Sequence, residues 1–170
     1  MGKGTLTIRR TKAEDLDRLE EIFERARAFM ASTGNPDQWG PERYPPRAQL
    51  EADIAKSASF VCCDGAGRIV GTFFFLTGKM PEPTYSYIEG GSWLSDSDYG
   101  VIHRIASDGT VPGTGTFCIE WCLSQCPHIR IDTHSDNIVM QNLLAKLGFS
   151  YRGIIYLEND RGTRLAYEKL

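Results

Sequence analysis

The chain has 170 residues, of which 41% are apolar and 24% charged, and its formal net charge at pH 7 is −3. This length and composition favour a single domain over residues 1–170 with a substantial hydrophobic core, and exclude extensive disorder. A slightly acidic chain without a concentrated basic field is not suited to bind nucleic acid or an anionic membrane. Five cysteines without the spacing of a disulfide framework, and no apolar run of bilayer-spanning length, predict a soluble cytoplasmic protein.

The first half of the chain has the pattern of strand, helix, helix and hairpin. Thr11 precedes Glu14 and Asp15 with the spacing of a capping box. Apolar residues then recur at three- and four-residue steps from Leu16 to Met30, which predicts an amphipathic helix. A proline-rich loop and a shorter helix follow, and then two strands around a glycine-containing hairpin loop. The predicted elements are strand 5–9, helices 16–30 and 48–55, and strands 59–63 and 68–77.

The second half is organised around a glycine-studded turn. Residues 99–107 predict a strand that runs into this turn, which holds Gly109, Gly113 and Gly115, and a helix follows over residues 114–125. Glycines let backbone amides approach a ligand closely, and the first amides of a helix are unpaired at the positive end of its dipole. The turn is therefore suited to bind phosphate.

Two other segments complete the chain. Residues 129–134 predict a strand, Asn137 opens a helix, and Gly148-Phe149 starts the next strand. Ahead of the glycine turn, residues 79–98 are rich in proline, glycine, serine and aromatic residues. The sequence leaves open whether residues 84–89 form a strand.

The order of these elements, together with two of the segments, resembles the GNAT family of N-acetyltransferases over essentially the whole chain. Residues 112–117 fall on the family pattern R/Q-x-x-G-x-G/A, and residues 137–149 match its N-x-x-A…G-F segment. The resemblance implies an α/β (α+β) domain with a mixed, mostly antiparallel sheet, a splayed central strand pair and helices on both faces. It also implies acetyl transfer from acetyl-CoA to a primary amine of a small molecule or peptide, by direct attack in a ternary complex and without a metal.

The resemblance further implies that acetyl-CoA lies between the splayed strands, with its pyrophosphate on the glycine turn. Pro112 stands where Arg or Gln is usual and offers no N–H, and Phe117 replaces a small residue. Phe117 folds either inward as core or outward into the pocket. The residues expected to bind the cofactor are Ile105, Ala106, Ser107, Gly113, Thr114, Gly115, Thr116 and Asn137.

Amine acetylation needs a base for the amine proton and a donor for the oxyanion. The resemblance gives the donor role to a backbone amide of the splayed strand. Asp132 and His134 alternate on one face of their strand, so we expect them to lie together and act as the base. His103 is the rival candidate for the base, and Glu89 is a third. Leu144 stands at the position where the family often has a tyrosine that acts as the acid.

Aromatic and acidic residues in the loops are candidates for the acceptor pocket. We expect Trp39, Tyr87 and Glu89 to contact the acceptor, with Tyr44 and Trp93 as further aromatic walls. The alternative for Trp39 is a packing role over the core. The sequence is compatible with a monomer or a homodimer.

Two other functions stay open. A GNAT-shaped module that binds CoA or regulates without turnover is compatible with the altered turn and with Leu144. A phosphate-binding protein of doubly wound fold predicts parallel strands throughout, against which the hairpin at residues 64–67 argues. Cys118, Cys122 and Cys126 form one helical stripe, whose spacing favours packing against the sheet over a metal site or an acyl carrier at Cys118.

Overall fold

The computed structural model describes residues 5–170, and within them seven strands and four α-helices follow the predicted order. Three short 3₁₀ turns, Ala13–Asp15, Pro83–Ser86 and Glu158–Asp160, lie between them. The elements are β1 (Thr7–Arg10), α1 (Leu16–Ser32), α2 (Arg47–Ala55), β2 (Ser59–Cys63), β3 (Ile69–Gly78), β4 (Tyr99–Ser107), α3 (Thr114–Gln125), β5 (Ile129–Thr133), α4 (Ile138–Lys146), β6 (Ser150–Tyr156) and β7 (Thr163–Lys169).

All seven strands belong to one sheet of order β1-β2-β3-β4-β5-β7-β6 in the described part of the chain. Neighbouring strands are antiparallel except β4 and β5, which are parallel. The parallel pair is joined only through Gly100 with Ile129 and Val101 with Arg130, and beyond these the strands diverge. The mixed, mostly antiparallel sheet with a splayed central pair is thus confirmed, and the doubly wound parallel sheet is excluded.

A β-bulge bends β4 beside the divergence. Thr72 of β3 pairs with Ala106 and Phe74 pairs with His103, so two residues of β4 oppose one of β3. One of the two, Arg104, has a φ of 49°, in the left-handed region that non-glycine residues rarely adopt. Its guanidinium bonds both carboxylate oxygens of Asp53 at 2.7 and 2.8 Å, and this contact with α2 holds the bulge in place.

Helices cover both faces of the sheet, as predicted. α3 and α4 pack on one face, where Cys118 and Cys122 are buried in the core and Phe117 folds inward against it. The three thiols of this helical stripe thus have a packing role. Cys126 is half-buried, and its thiol donates to the His128 carbonyl at 3.2 Å. α1 and α2 pack on the other face, and the loop of residues 79–98 covers the rest of that face.

One local prediction was wrong, and one question that the sequence left open is answered. Thr11 does not cap α1, because its hydroxyl pairs with that of Ser59 at 2.7 Å, and only the acidic half of the motif forms, with Asp15 accepting from the Lys12 amide. Residues 84–89 do not form a strand, since a 3₁₀ turn is followed by a single bridge between Glu89 and Ile154. Across residues 5–170, no helix combines the length and the apolar composition needed to cross a membrane.

Candidate active site

A cleft of about 540 Å³ opens where β4 and β5 diverge. Ile105 of β4 and Ile131 and Thr133 of β5 line the gap itself. The outer walls come from Trp39 and Tyr44, and from the loops that flank β6 and precede β4. Because the strands stop pairing at this point, the cleft runs into the sheet, where a chain-like ligand can lie between them.

Five side chains from three separate segments form a hydrogen-bonded cluster on the wall of this cleft. Nε2 of His103 lies 3.0 Å from Oε2 of Glu82, and Nδ1 lies 3.9 Å from Oδ2 of Asp132. The hydroxyl of Tyr85 donates to the same Asp132 oxygen at 2.6 Å, and that of Thr84 donates to Glu82 at 2.6 Å. The imidazole of His103 is therefore placed between two carboxylates, each held by a hydroxyl.

The cluster fixes the protonation of its outer members. Burial alone would raise the pKa of Glu82, but the hydrogen bond and charge of His103 and the two donors of Thr84 outweigh it and lower that pKa to about 2. Burial, reinforced by the Asp132 carboxylate, raises the pKa of Tyr85 well above its ordinary value. Glu82 is thus an anion and Tyr85 a neutral hydrogen-bond donor near neutral pH.

The glycine turn lies at the start of α3. Gly113 has a φ of 81° and immediately precedes the helix, so the amides of Thr114, Gly115 and Thr116 have no earlier helical carbonyl to bind. The Thr114 hydroxyl, in contrast, donates to the Val111 carbonyl at 2.7 Å and is engaged within the turn. The anion-binding capacity of the turn therefore comes from backbone amides.

A buried ion pair anchors the beginning of this turn to α1. The side chain of Asp108 is fully buried and accepts from Arg18 at 2.6 Å and from the amide and hydroxyl of Thr110. Burial opposes ionisation of Asp108, but these hydrogen bonds prevail and lower its pKa. The charge of Asp108 is satisfied by Arg18, and its carboxylate also engages the Thr110 amide, so the amides left to bind an anion are those at the start of α3.

One buried polar atom in the gap has no partner. The side chain of Thr133 is 1% exposed, and its Oγ1 makes no hydrogen bond with any of the described residues. Buried polar groups are almost always hydrogen-bonded, because an unsatisfied one is costly. The Thr133 hydroxyl therefore identifies a position in the gap where a polar ligand atom fits.

Solved structures resemble the chain along its whole length. An acetyltransferase of the GNAT family from Streptococcus agalactiae is 33% identical, with a TM-score of 0.85, over 97% of this chain and 95% of that one. The chain belongs to the GNAT family. A GNAT acetyltransferase from Listeria monocytogenes (18% identical, TM-score 0.68, 96% and 94% of the two chains) and an N-acetyltransferase from Staphylococcus aureus (20%, 0.60, 98% and 98%) share the fold. Neither a protein-family model nor a curated protein matches the sequence.

Membership of the GNAT family makes acetyl transfer in general the chemistry that this fold supports. Four of the residues expected at the cofactor site lie in the gap or in the glycine turn: Ile105 lines the gap, and Gly113, Gly115 and Thr116 belong to the amide-bearing turn. Ala106 is buried against α1, and Ser107 is the last residue of β4. Thr114 is buried, so only its amide is available.

Asn137 has a local role in addition to lining the cleft. Its Oδ1 accepts from the Met140 amide at 3.0 Å and so caps α4. Its Nδ2 donates to Gln38 at 3.0 Å, which ties α4 to the loop that carries Trp39. Trp39 packs edge-on against Phe23 in the core, which is the alternative role considered for it, and it also lines the cleft.

The structure corrects the prediction that Asp132 and His134 lie together and act as the base. β5 ends at Thr133, so the alternation does not continue to His134, whose Nδ1 accepts from the Asp136 amide at 3.0 Å outside the cleft. Asp132 instead faces His103, the residue considered as its rival.

Tyr87 and Glu89 also lie away from the cleft. Tyr87 is 61% exposed and packs against the ring of Tyr156, whose hydroxyl donates to Glu89. Neither Tyr87 nor Glu89 therefore lines the cleft, so the structure does not support their predicted acceptor contacts. Trp93 also turns elsewhere, stacking on the guanidinium of Arg130 at 4.2 Å.

Glu82 and Tyr85 are the site residues that the sequence did not reveal. Both lie in the segment of residues 79–98, which has no periodicity from which the direction of a side chain could be predicted. The only local signal is an acidic residue between Pro81 and Pro83. Their partners are 21 and 47 positions away along the chain, so only the fold brings them together.

Proposed function

We propose that this protein is an N-acetyltransferase that transfers an acetyl group from acetyl-CoA to a primary amine within a ternary complex. The observation that carries the proposal is the imidazole of His103, held between Glu82 and Asp132 on the wall of a cleft that continues into the gap between β4 and β5. A base beside a gap of this kind is the arrangement that deprotonation of an amine next to a bound thioester requires.

The residues of the gap fit acetyl-CoA. The unpartnered Thr133 hydroxyl and the apolar side chains of Ile105 and Ile131 suit an arm that alternates amides with methylene groups. The first amides of α3 suit a pyrophosphate. Phe117 packs into the core and leaves the turn open, so its bulk does not argue against binding. Acetyl-CoA would supply the thioester carbonyl that the amine attacks.

The cluster supports a defined division of roles. With its Nε2–H directed at Glu82, a neutral His103 presents the lone pair of Nδ1 towards the cleft. Asp132 lies 3.9 Å from Nδ1, a separation that suits a shared ammonium group better than a direct hydrogen bond. Asp132 therefore binds the incoming ammonium, Nδ1 of His103 accepts one of its protons, and Glu82 keeps His103 in the required tautomer.

The backbone of β4 provides the oxyanion donor in this scheme. A bulge frees backbone groups from the strand ladder, and the bulge at Arg104 and Ile105 lies directly at the gap. Leu144, at the position of the family's frequent tyrosine, is fully buried and carries no exchangeable proton. The chemistry proposed for this chain therefore uses no side-chain acid at that position.

The test is release of free thiol from acetyl-CoA with a panel of primary amines. Replacing His103 by Gln should lower kcat by roughly 10²- to 10⁴-fold, the range that a general base contributes, while calorimetry shows unchanged acetyl-CoA affinity. His134→Gln is the matched control and should retain full turnover. Binding of acetyl-CoA without turnover of any amine would instead favour the non-catalytic module, and equal losses in the two variants would rule out the proposed role of His103.

A further inference from the structure

An arginine on the wall of the cleft has no carboxylate partner. Arg164 of β7 lines the cleft and donates only to the backbone carbonyls of Thr163 at 2.9 Å and Gln38 at 3.3 Å. Among the side chains that the structure describes, no carboxylate lies within the 4.0 Å of an ion pair. A half-buried guanidinium that is not ion-paired at close range is costly, so an anion from outside the chain would stabilise it.

Arg104, which lines the same cleft, has hydrogen-bond and ion-pair partners that Arg164 lacks. It is more deeply buried than Arg164, but Asp53 binds it through two oxygens and Tyr44 accepts a further bond. Burial opposes its charge, yet these partners raise the pKa of Arg104. For Arg164, burial prevails and lowers the pKa, although the Asp132 carboxylate acts in the opposite direction, and the positive charge of nearby Arg161 adds to the lowering. Arg164 and Arg161 therefore place positive charge on this wall, and Arg164 has no ion-paired carboxylate among the described side chains.

Asp132, a negatively charged member of the cluster around His103, lies on the same face of the sheet as Arg164. Asp132 of β5 pairs with Ala166 of β7, so Arg164, two residues before Ala166, points to the face that Asp132 occupies. Such diagonal neighbours are about 7–8 Å apart at the backbone. The arginine side chain is long and flexible enough to adjust the position of its guanidinium over such a distance. Asp132 and Arg164 thus form an anionic and a cationic anchor, separated by the length of a small dipolar molecule.

We infer that the acceptor is an amine that also carries a carboxylate, with its ammonium at Asp132 and His103 and its carboxylate on Arg164. This inference rests on the proposed function. The planar guanidinium fork matches a carboxylate in a bidentate arrangement, and one guanidinium balances the single negative charge of an amino acid. Arg161, exposed at the rim above the ring of Tyr44, adds positive potential where the carboxylate enters.

The experiment compares three amino acids with the amines that lack only their carboxylate. β-Alanine, γ-aminobutyrate and L-leucine are measured against ethylamine, propylamine and isopentylamine in the thiol-release assay. We expect kcat/KM to be at least ten-fold higher for one or more of the amino acids than for its matched amine. Plain amines that react as well as the amino acids would overturn this inference and leave acetyl transfer standing, whereas no turnover with any amine would overturn both.

A variant separates recognition from structure. Arg164→Gln should raise KM for the preferred amino acid by roughly ten- to a hundred-fold, the loss expected for charge-assisted hydrogen bonds, with kcat little changed. Its kcat/KM for the matched plain amine should remain that of the unmodified protein. Arg152→Gln, on the neighbouring strand β6 and outside the cleft, is the control. Equal losses for both substrate classes would assign Arg164 a structural role and refute the inference, as would a preference for phosphoethanolamine over every carboxylate.

Discussion

Replacing Asp53 by Ala should destabilise the protein strongly, although Asp53 lies outside the hydrogen-bonded cluster around His103. The Asp53 and Arg104 side chains are 3% and 11% exposed, and two hydrogen bonds of 2.7 and 2.8 Å join them. The substitution leaves Arg104 buried without its carboxylate, which costs about 3–5 kcal/mol for pairs of this kind. For a domain of this size, 1 kcal/mol corresponds to about 2–4 °C, so the melting temperature should fall by roughly 6–20 °C.

The predicted loss of stability results from leaving the charge of Arg104 buried without its partner. A second variant tests this cause separately. Asp53→Leu combined with Arg104→Met removes both charges and fills similar volumes, so it should regain most of the lost stability. Thermal and urea unfolding of the single and double variants give the comparison. A loss below about 1 kcal/mol for Asp53→Ala would refute the reasoning, because it would place the pair among solvent-screened surface ion pairs.

Three further predictions concern the gap, the turn and the acid range. Thr133→Val removes the unpartnered hydroxyl, so unfolding should show equal or higher stability while the acetyl-CoA affinity measured by calorimetry falls. Gly115→Ala meets only an ordinary 3.6 Å contact with Leu143, so helix propensity should raise stability by up to about 1 kcal/mol, whereas the added methyl beside the first amides should weaken acetyl-CoA binding. Because the pKa of Glu82 is lowered from 4.5 to about 2, its stabilising effect is complete above pH 4.5 and disappears as the pH falls to 2. The stability difference between the unmodified protein and Glu82→Gln in urea titrations should therefore shrink over that range, and a constant difference would contradict the assignment.

The half of the proposed site that contains the glycine turn could be predicted from the sequence because its determinants are local. A glycine turn followed by a helix specifies free amides wherever the helix begins, and Gly113 does precede α3 with a left-handed φ. The strand and helix bounds of this half agree with the predicted ones to within a residue or two. Backbone chemistry of this kind depends little on which side chains surround it.

The acceptor half could not be predicted, because it is assembled from distant segments. His103 meets Glu82 from an irregular loop, and the pairing of Asp132 with His134 assumed a strand one residue longer than β5. Where a strand ends decides the direction of the next side chain, and no feature of the sequence at Thr133 indicates the end. The left-handed backbone of Arg104 is equally hidden, since it depends on the buried carboxylate of Asp53 in a different element.

The sheet consists of two halves that meet at the site. All five residues of β5 pair with β7, but only two pair with β4, which instead follows β3 through most of its length. Asp132 and Arg164 belong to one half and keep a fixed spacing, because they lie on the same ladder. His103 belongs to the other half, so the 3.9 Å between its Nδ1 and Asp132 spans the junction of the halves. In the proposed mechanism, an ammonium group bound there would contact both halves at once, and this would couple binding of the acceptor to the width of the gap between β4 and β5.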